Sequence, residues 1–133
     1  MPQARLVDFW AKAIAARSPA MLQQLRGVAQ GLLAARTALR SVMPGEFVNN
    51  PPIDLLYTLF VAEEQTMALP PLITATAVSA PVARRWVDVL VDRDLVTERG
   101  GIITLTEAGF VMVAEACQAI IESQTVAAGS VLN

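Results

Sequence analysis

Proline sets the outline of this chain before any hydrophobic pattern is read. Beyond Pro2 it stands at positions 19, 44, 51, 52, 70, 71 and 81. Proline has no backbone N–H and clashes with the preceding helical turn, so a helix accepts it only in its first turn. Each proline therefore marks a helix start or a stop. Ser18-Pro19 reads as an N-cap followed by the first helical residue. Pro44-Gly45 ends that helix, Glu46 to Asn50 is expected to be a loop, and Pro51-Pro52 closes it. Pro70-Pro71 opens a short helix reaching about Ala75, and Ser79 with Pro81 opens another.

Apolar spacing fills the segments between these marks. Leu6, Phe9, Trp10, Ala13 and Ile14 recur at helical spacing, so an amphipathic helix is expected to end near Ser18. From Met21 to Val42 the stripe Leu22, Leu25, Ala29, Leu32, Leu39 is close to a heptad, with Arg36 interrupting it. Ile53, Leu55, Leu56, Leu59 and Phe60 predict a third helix ending around Glu64 or Gln65. In the helix that Ser79 opens, Val82, Trp86, Val89 and Leu90 share one face, and Arg84, Arg85 and Asp88 lie toward the more open side.

The stretch RGGIITLTEAG, residues 99–109, changes the period from helical to alternating. Leu95-Val96-Thr97 and Ile102 to Leu105 read as two strands. Gly100-Gly101 fits a two-residue turn whose residues both need positive φ. A phosphate-binding loop is a poor match, because no Lys-Ser/Thr follows and no helix begins directly after the glycines. Thr106 caps a last helix with Glu107 in its first turn, and that helix is apolar almost all round.

Composition narrows the chemistry. Histidine is absent and Cys117 is the sole cysteine, which removes Ser-His and Cys-His catalysis and any intrachain disulfide. No enzyme activity, cofactor or metal is expected. Glu63-Glu64 are neighbours that do not face each other on a helix, so they read as a solvated helix end. With 54% hydrophobic residues, the 133-residue chain can bury the core of one domain. The lone cysteine, the absence of a secretory signal and the lack of a long apolar run point to the cytoplasm, away from any membrane. The net charge of −2 is unevenly spread: six bases against one acid up to residue 45, four bases against eleven acids beyond it.

The segment from Leu72 to Gly109, LITATAVSAPVARRWVDVLVDRDLVTERGGIITLTEAG, resembles the winged helix-turn-helix core of MarR-type transcriptional regulators. Leu90 to Val96 matches that family's Leu-x-x-x-Gly-Leu-Val, with Asp94 at the glycine. Leu105-Thr106-Glu107-Ala108-Gly109 matches its Leu-Thr-x-x-Gly, and Arg85-Trp86-Val87 its Arg-Trp-Ile. With Asp94 in place of glycine, the helix is expected to end without its left-handed cap residue. The wing is short, and Arg99 is the one base near its tip. The recognition helix that the resemblance implies begins Ala80-Pro81-Val82-Ala83, with no Ser, Thr, Asn or Gln to read base edges.

The resemblance implies a mainly α fold with a small β-hairpin over a single domain, 1–133. Helices in 1–45 and 106–128 would pair two subunits around a winged helix-turn-helix core at 51–109. It implies a cytoplasmic homodimeric repressor of transcription on double-stranded DNA, relieved by a small-molecule effector. The recognition helix would lie near 80–92 and the wing near 96–105. Ser79, Ala80, Pro81, Arg84, Arg85 and Arg99 are the candidate DNA contacts, with pairing of Arg84 to Asp88 at i,i+4 as the competing role. The weighed alternative is a winged helix that serves as a protein-interaction module. Some relatives of this family use cysteine as a redox sensor, whereas Cys117 sits among Ala, Val and Ile as a small core residue would.

Overall fold

The computed structural model describes residues 18–132, with side chains over 18–126. The amphipathic stretch read before Ser18, with Arg5, Lys12 and Arg17, lies outside the described residues. The elements run α1 (Pro19–Arg40), α2 (Gly45–Val48), α3 (Pro51–Val61), a 3-10 turn (Glu63–Gln65), β1 (Thr66–Ala68), α4 (Leu69–Ala75), α5 (Ala80–Asp92), β2 (Val96–Arg99), β3 (Ile102–Leu105) and α6 (Glu107–Leu132). The architecture is mainly helical with one small antiparallel sheet, ordered β1-β3-β2.

Prolines occupy the first turns of α1, α3, α4 and α5. Ser18 caps α1, its Oγ accepting from the Met21 N–H at 3.0 Å, and Asn50 caps α3 through Ile53 N–H at 3.4 Å. Ser79 is the N-cap of α5 by position, but its hydroxyl makes no cap hydrogen bond. α3 is the central element: Leu55, Leu56, Tyr57, Leu59 and Phe60 are all buried. Around it pack Leu25 and Ala29 of α1, Leu72 of α4, Val87 and Leu90 of α5, Ile103 and Leu105 of β3, and Phe110, Val113 and Cys117 of α6. The Phe60 and Phe110 rings meet at 5.2 Å between centroids, tilted by 36°.

Asp54 is the buried acid of this core, only 2% exposed. Arg36 Nε donates to its Oδ1 at 2.6 Å and Arg40 Nη2 to its Oδ2 at 2.8 Å. Arg36 Nη2 also donates to the Val48 carbonyl at 2.6 Å, and Arg40 Nε to Asn49 Oδ1 at 2.9 Å. A buried charge needs such partners. The arginine that interrupts the stripe of α1 is therefore what clamps α1 to α3.

Several expected boundaries move. Residues 45–48 form a helical turn where a loop was expected, closed by Asn49 N–H to Gly45 O at 2.8 Å and by the Arg36 contact to Val48. α3 stops at Val61, short of Glu64, because Ala62 turns extended with ψ of 152°, and Glu64 and Gln65 beyond it take left-handed φ of 55° and 54°. Arg26 Nη2 donates to the Val61 carbonyl at 2.8 Å, satisfying an acceptor at that helix end. Thr66–Ala68 then forms a third strand that local pattern did not signal. It exists through its partners: Thr66 faces Thr104, Met67 faces Ile103 and Ala68 faces Ile102. β2 runs to Arg99, two residues beyond the reading at 95–97.

Asp94 overturns the expected loss of the α5 cap. Its φ is 58°, so it takes the left-handed position itself. Leu95 N–H donates to the Leu90 carbonyl at 3.0 Å and Asp94 N–H to the Val91 carbonyl at 3.0 Å. That pair of bonds, with Leu90 and Leu95 both in the core, is a Schellman motif. Directly beyond it, Thr106 Oγ1 donates to the Asp94 carbonyl at 2.6 Å and accepts from the Gly109 N–H at 3.1 Å. Thr106 N–H donates to the Leu95 carbonyl at 3.0 Å.

Gly109 completes this junction. A Cβ there would run into the Leu95 carbonyl oxygen and lie 2.8 Å from Leu105 Cδ1. Backbone cannot give way as a flexible side chain can. Gly109→Ala should therefore destabilise the chain by about 1–3 kcal/mol through overpacking, outweighing the roughly 1 kcal/mol that alanine contributes over glycine within a helix. Urea denaturation of the two proteins measures it, and equal midpoints would contradict the close approach.

Candidate functional site

α5 and the β2–β3 hairpin form the surface on which the candidate residues fall. Ala83, Val87 and Leu90 recur at i, i+4 and i+7 and are the buried face of α5. The face expected from sequence was rotated from this one. Trp86 and Val89 are each 37% exposed and, with Val82 and Arg85, line a shallow cleft on the outer side of the helix. Only Leu90 of the expected set is core. Sequence favoured Trp86 for its size, whereas the small Ala83 is what permits α5 to lie against the core.

The hairpin is held by Val96 opposite Leu105, Thr97 opposite Thr104, Glu98 opposite Ile103 and Arg99 opposite Ile102. Gly100 and Gly101 have φ of 57° and 77°, as a two-residue primed turn requires. Leu69 N–H donates to the Gly101 carbonyl at 2.9 Å, which ties the turn to the start of α4. Arg99 is exposed at the end of β2.

Ser79, Ala80 and Pro81 lie exposed at the N-terminal end of α5. Arg85 is exposed on its outer face and makes no ion pair with a described residue. Arg84 is different. Its Nη1 donates to Glu98 Oε2 at 2.6 Å, and its Nη2 to Glu98 Oε1 at 2.6 Å and to Asp88 Oδ1 at 2.9 Å. The Asp88 pairing was read from helical spacing. The stronger Glu98 pairing was not, because it spans fourteen residues and depends on where the hairpin folds back. The hydrogen bonds with Glu98 hold the Arg84 guanidinium above its ordinary pKa. The same bonds hold the Glu98 carboxyl below its ordinary range, so the pair stays ionised as pH falls toward that range.

Two other clefts lie away from α5. One, between the start of α1 and α6, is lined by Leu22, Arg26, Phe60, Gln65 and Phe110. The other is an apolar groove between α1 and α6, lined by Val28, Gly31, Leu32, Ala35 and Ile120. At the end of α1, in the turn after it and in α2, Leu39, Val42, Met43 and Phe47 are exposed. Among the described residues no helix is long and apolar enough to cross a membrane.

Cys117 is fully buried, and burial pushes its thiol up to about 11. The thiolate is the reactive form, so the native protein should resist thiol reagents at neutral pH and react only on unfolding. Colorimetric titration with and without denaturant checks this. Fast labelling of the folded chain would reopen a redox role.

The sequence matches no protein-family model, no curated protein and no solved structure.

Proposed function

We propose that this chain is a winged helix-turn-helix regulator of transcription that binds double-stranded DNA as a homodimer, with α5 as the recognition helix and β2–β3 as the wing. The observation that carries this reading is the order of elements around α5. A helix, a strand, a short helix, a turn, a second helix and a hairpin follow one another, and the first strand joins the hairpin's sheet beside β3. That order supports the winged helix, and the resemblance over Leu72–Gly109 agrees with it. A fold alone does not give a function, so the residues must bear the claim.

Arg85 takes first place among them. It is the cation on the outer face of α5 whose guanidinium is not committed to an acid. Ser79, with its hydroxyl outside any cap bond, and the neighbouring backbone of Ala80 stand where a helix end approaches phosphate. Arg99 reaches the backbone from the wing. Repression and effector control are carried over from the resemblance, and the cleft bordered by Phe60, Phe110 and Arg26 is our location for the effector.

The dimer would bury the groove between α1 and α6, where a Cβ at Gly31 would meet nothing within 4 Å. Pairing there would set two α5 helices against successive major grooves. Solution mass should be twice the 14.2 kDa of one chain, and a monomer at micromolar concentration would refute the pairing.

Selection from a random duplex pool at low salt, followed by titration, tests DNA binding. Arg85→Ala should weaken the selected complex roughly tenfold, as loss of one bidentate contact does. No enrichment, or equal binding by the variant, would end the DNA reading. The exposed Trp86 and Val89 favour a second reading, a protein-interaction module. Failure to bind DNA at low salt, together with a stoichiometric protein complex lost in Trp86→Ala, would select it.

A further inference from the structure

We infer that Glu98 is an affinity-setting residue of the proposed DNA interface: its carboxylate occupies the Arg84 guanidinium as a phosphate would, and so suppresses sequence-independent binding. This rests on the DNA-binding reading and adds the residue that limits it.

The geometry is that of an internal competitor. A guanidinium has five N–H groups arranged so that two parallel donors form a fork. Glu98 takes the fork between Nη1 and Nη2, with both distances at 2.6 Å. Asp88 takes the remaining Nη2 proton at 2.9 Å. The donors left over, on Nε and Nη1, lie on different edges of the group. Neither a guanine edge nor a phosphate can then receive two parallel bonds from Arg84. One cation shared by two acids also leaves a net negative cluster.

Glu98 is well placed to hold this arrangement. It stands on β2, opposite Ile103 of β3, so the ladder fixes its backbone. Its side chain is 24% exposed against 53% for Asp88, so it is the less hydrated of the two acids. Carboxylate and phosphate offer a guanidinium similar pairs of oxygens. DNA must therefore displace Glu98 to recruit Arg84, or bind without Arg84 while a carboxylate stands nearby.

Substituting Glu98→Gln removes the charge and one strong acceptor while keeping the side chain's size. Titration with a labelled mixed-sequence duplex spanning two successive major grooves should show roughly tenfold tighter binding at low salt. The slope of log affinity against log salt should steepen by about 0.9, the increment for one further phosphate contact. Arg84→Ala/Glu98→Gln should lose the gain, and Asp88→Asn should give a smaller one. Thermal denaturation of each variant establishes that it is folded. Equal or weaker binding by a folded Glu98→Gln protein overturns the inference, as does a gain that persists without Arg84. If the wild type binds its selected duplexes while Glu98→Gln gains nothing, only the role of Glu98 falls. If neither protein binds any duplex, the DNA reading falls and takes this inference with it.

Discussion

The junction of Asp94, Leu95, Thr106 and Gly109 is the constraint on which the outer surface depends. Four backbone groups and one hydroxyl close the end of α5, the base of the hairpin and the start of α6 onto each other. Thr106 alone serves three of these bonds, capping α6 while holding the carbonyls of Asp94 and Leu95. No side chain fits where Gly109 passes Leu95. The hairpin is consequently laid along α5 at one angle, and that angle brings Glu98 to Arg84. An ion pair that looks like surface decoration is the downstream result of a backbone junction.

Up to residue 45 the chain carries six bases against one acid. The part of this uneven charge that falls on the described residues, Arg26, Arg36 and Arg40 of the six N-terminal bases, is engaged within the fold. In the fold, Arg36 and Arg40 turn inward to Asp54, and Arg26 is spent on a helix-end carbonyl. Burying the Asp54 carboxylate is tolerable because two guanidinium groups donate to it, while the Val48 carbonyl takes up a further Arg36 proton. Arg36 and Arg40 hold α1 on α3 through Asp54, and the exposed Arg26 adds one bond to the end of the same helix. The net charge of a segment says what it could attract, whereas the pairing of each charge decides what it does attract.

Features written in local sequence were legible. Proline at helix starts, the Ser18 and Thr106 caps and the Gly100-Gly101 turn all depend on residues within a few positions of each other. Features set by distant partners were not. β1 is three residues with no alternation and owes its form to β3. The rotation of α5 depends on what the core accepts, and Ala83 carries no hydrophobic signal comparable to Trp86. Asp94 shows a third case. The rule that a left-handed cap wants glycine is an average, and Asp is among the residues that bear the conformation when the bonds around it are complete. For the candidate site, Arg84–Asp88 was visible at helical spacing, while Arg84–Glu98 needed the fold.

The bond from Leu69 to the hairpin turn has a thermodynamic consequence. A long, free wing must be ordered when it meets a partner, and that ordering opposes association. Here the turn has two residues, both in the conformation the hairpin demands, and its carbonyl is already anchored to α4. The hairpin and α5 thus approach any partner as one preassembled body. Association through them would carry the heat-capacity signature of surface burial alone, without the larger change that accompanies coupled folding.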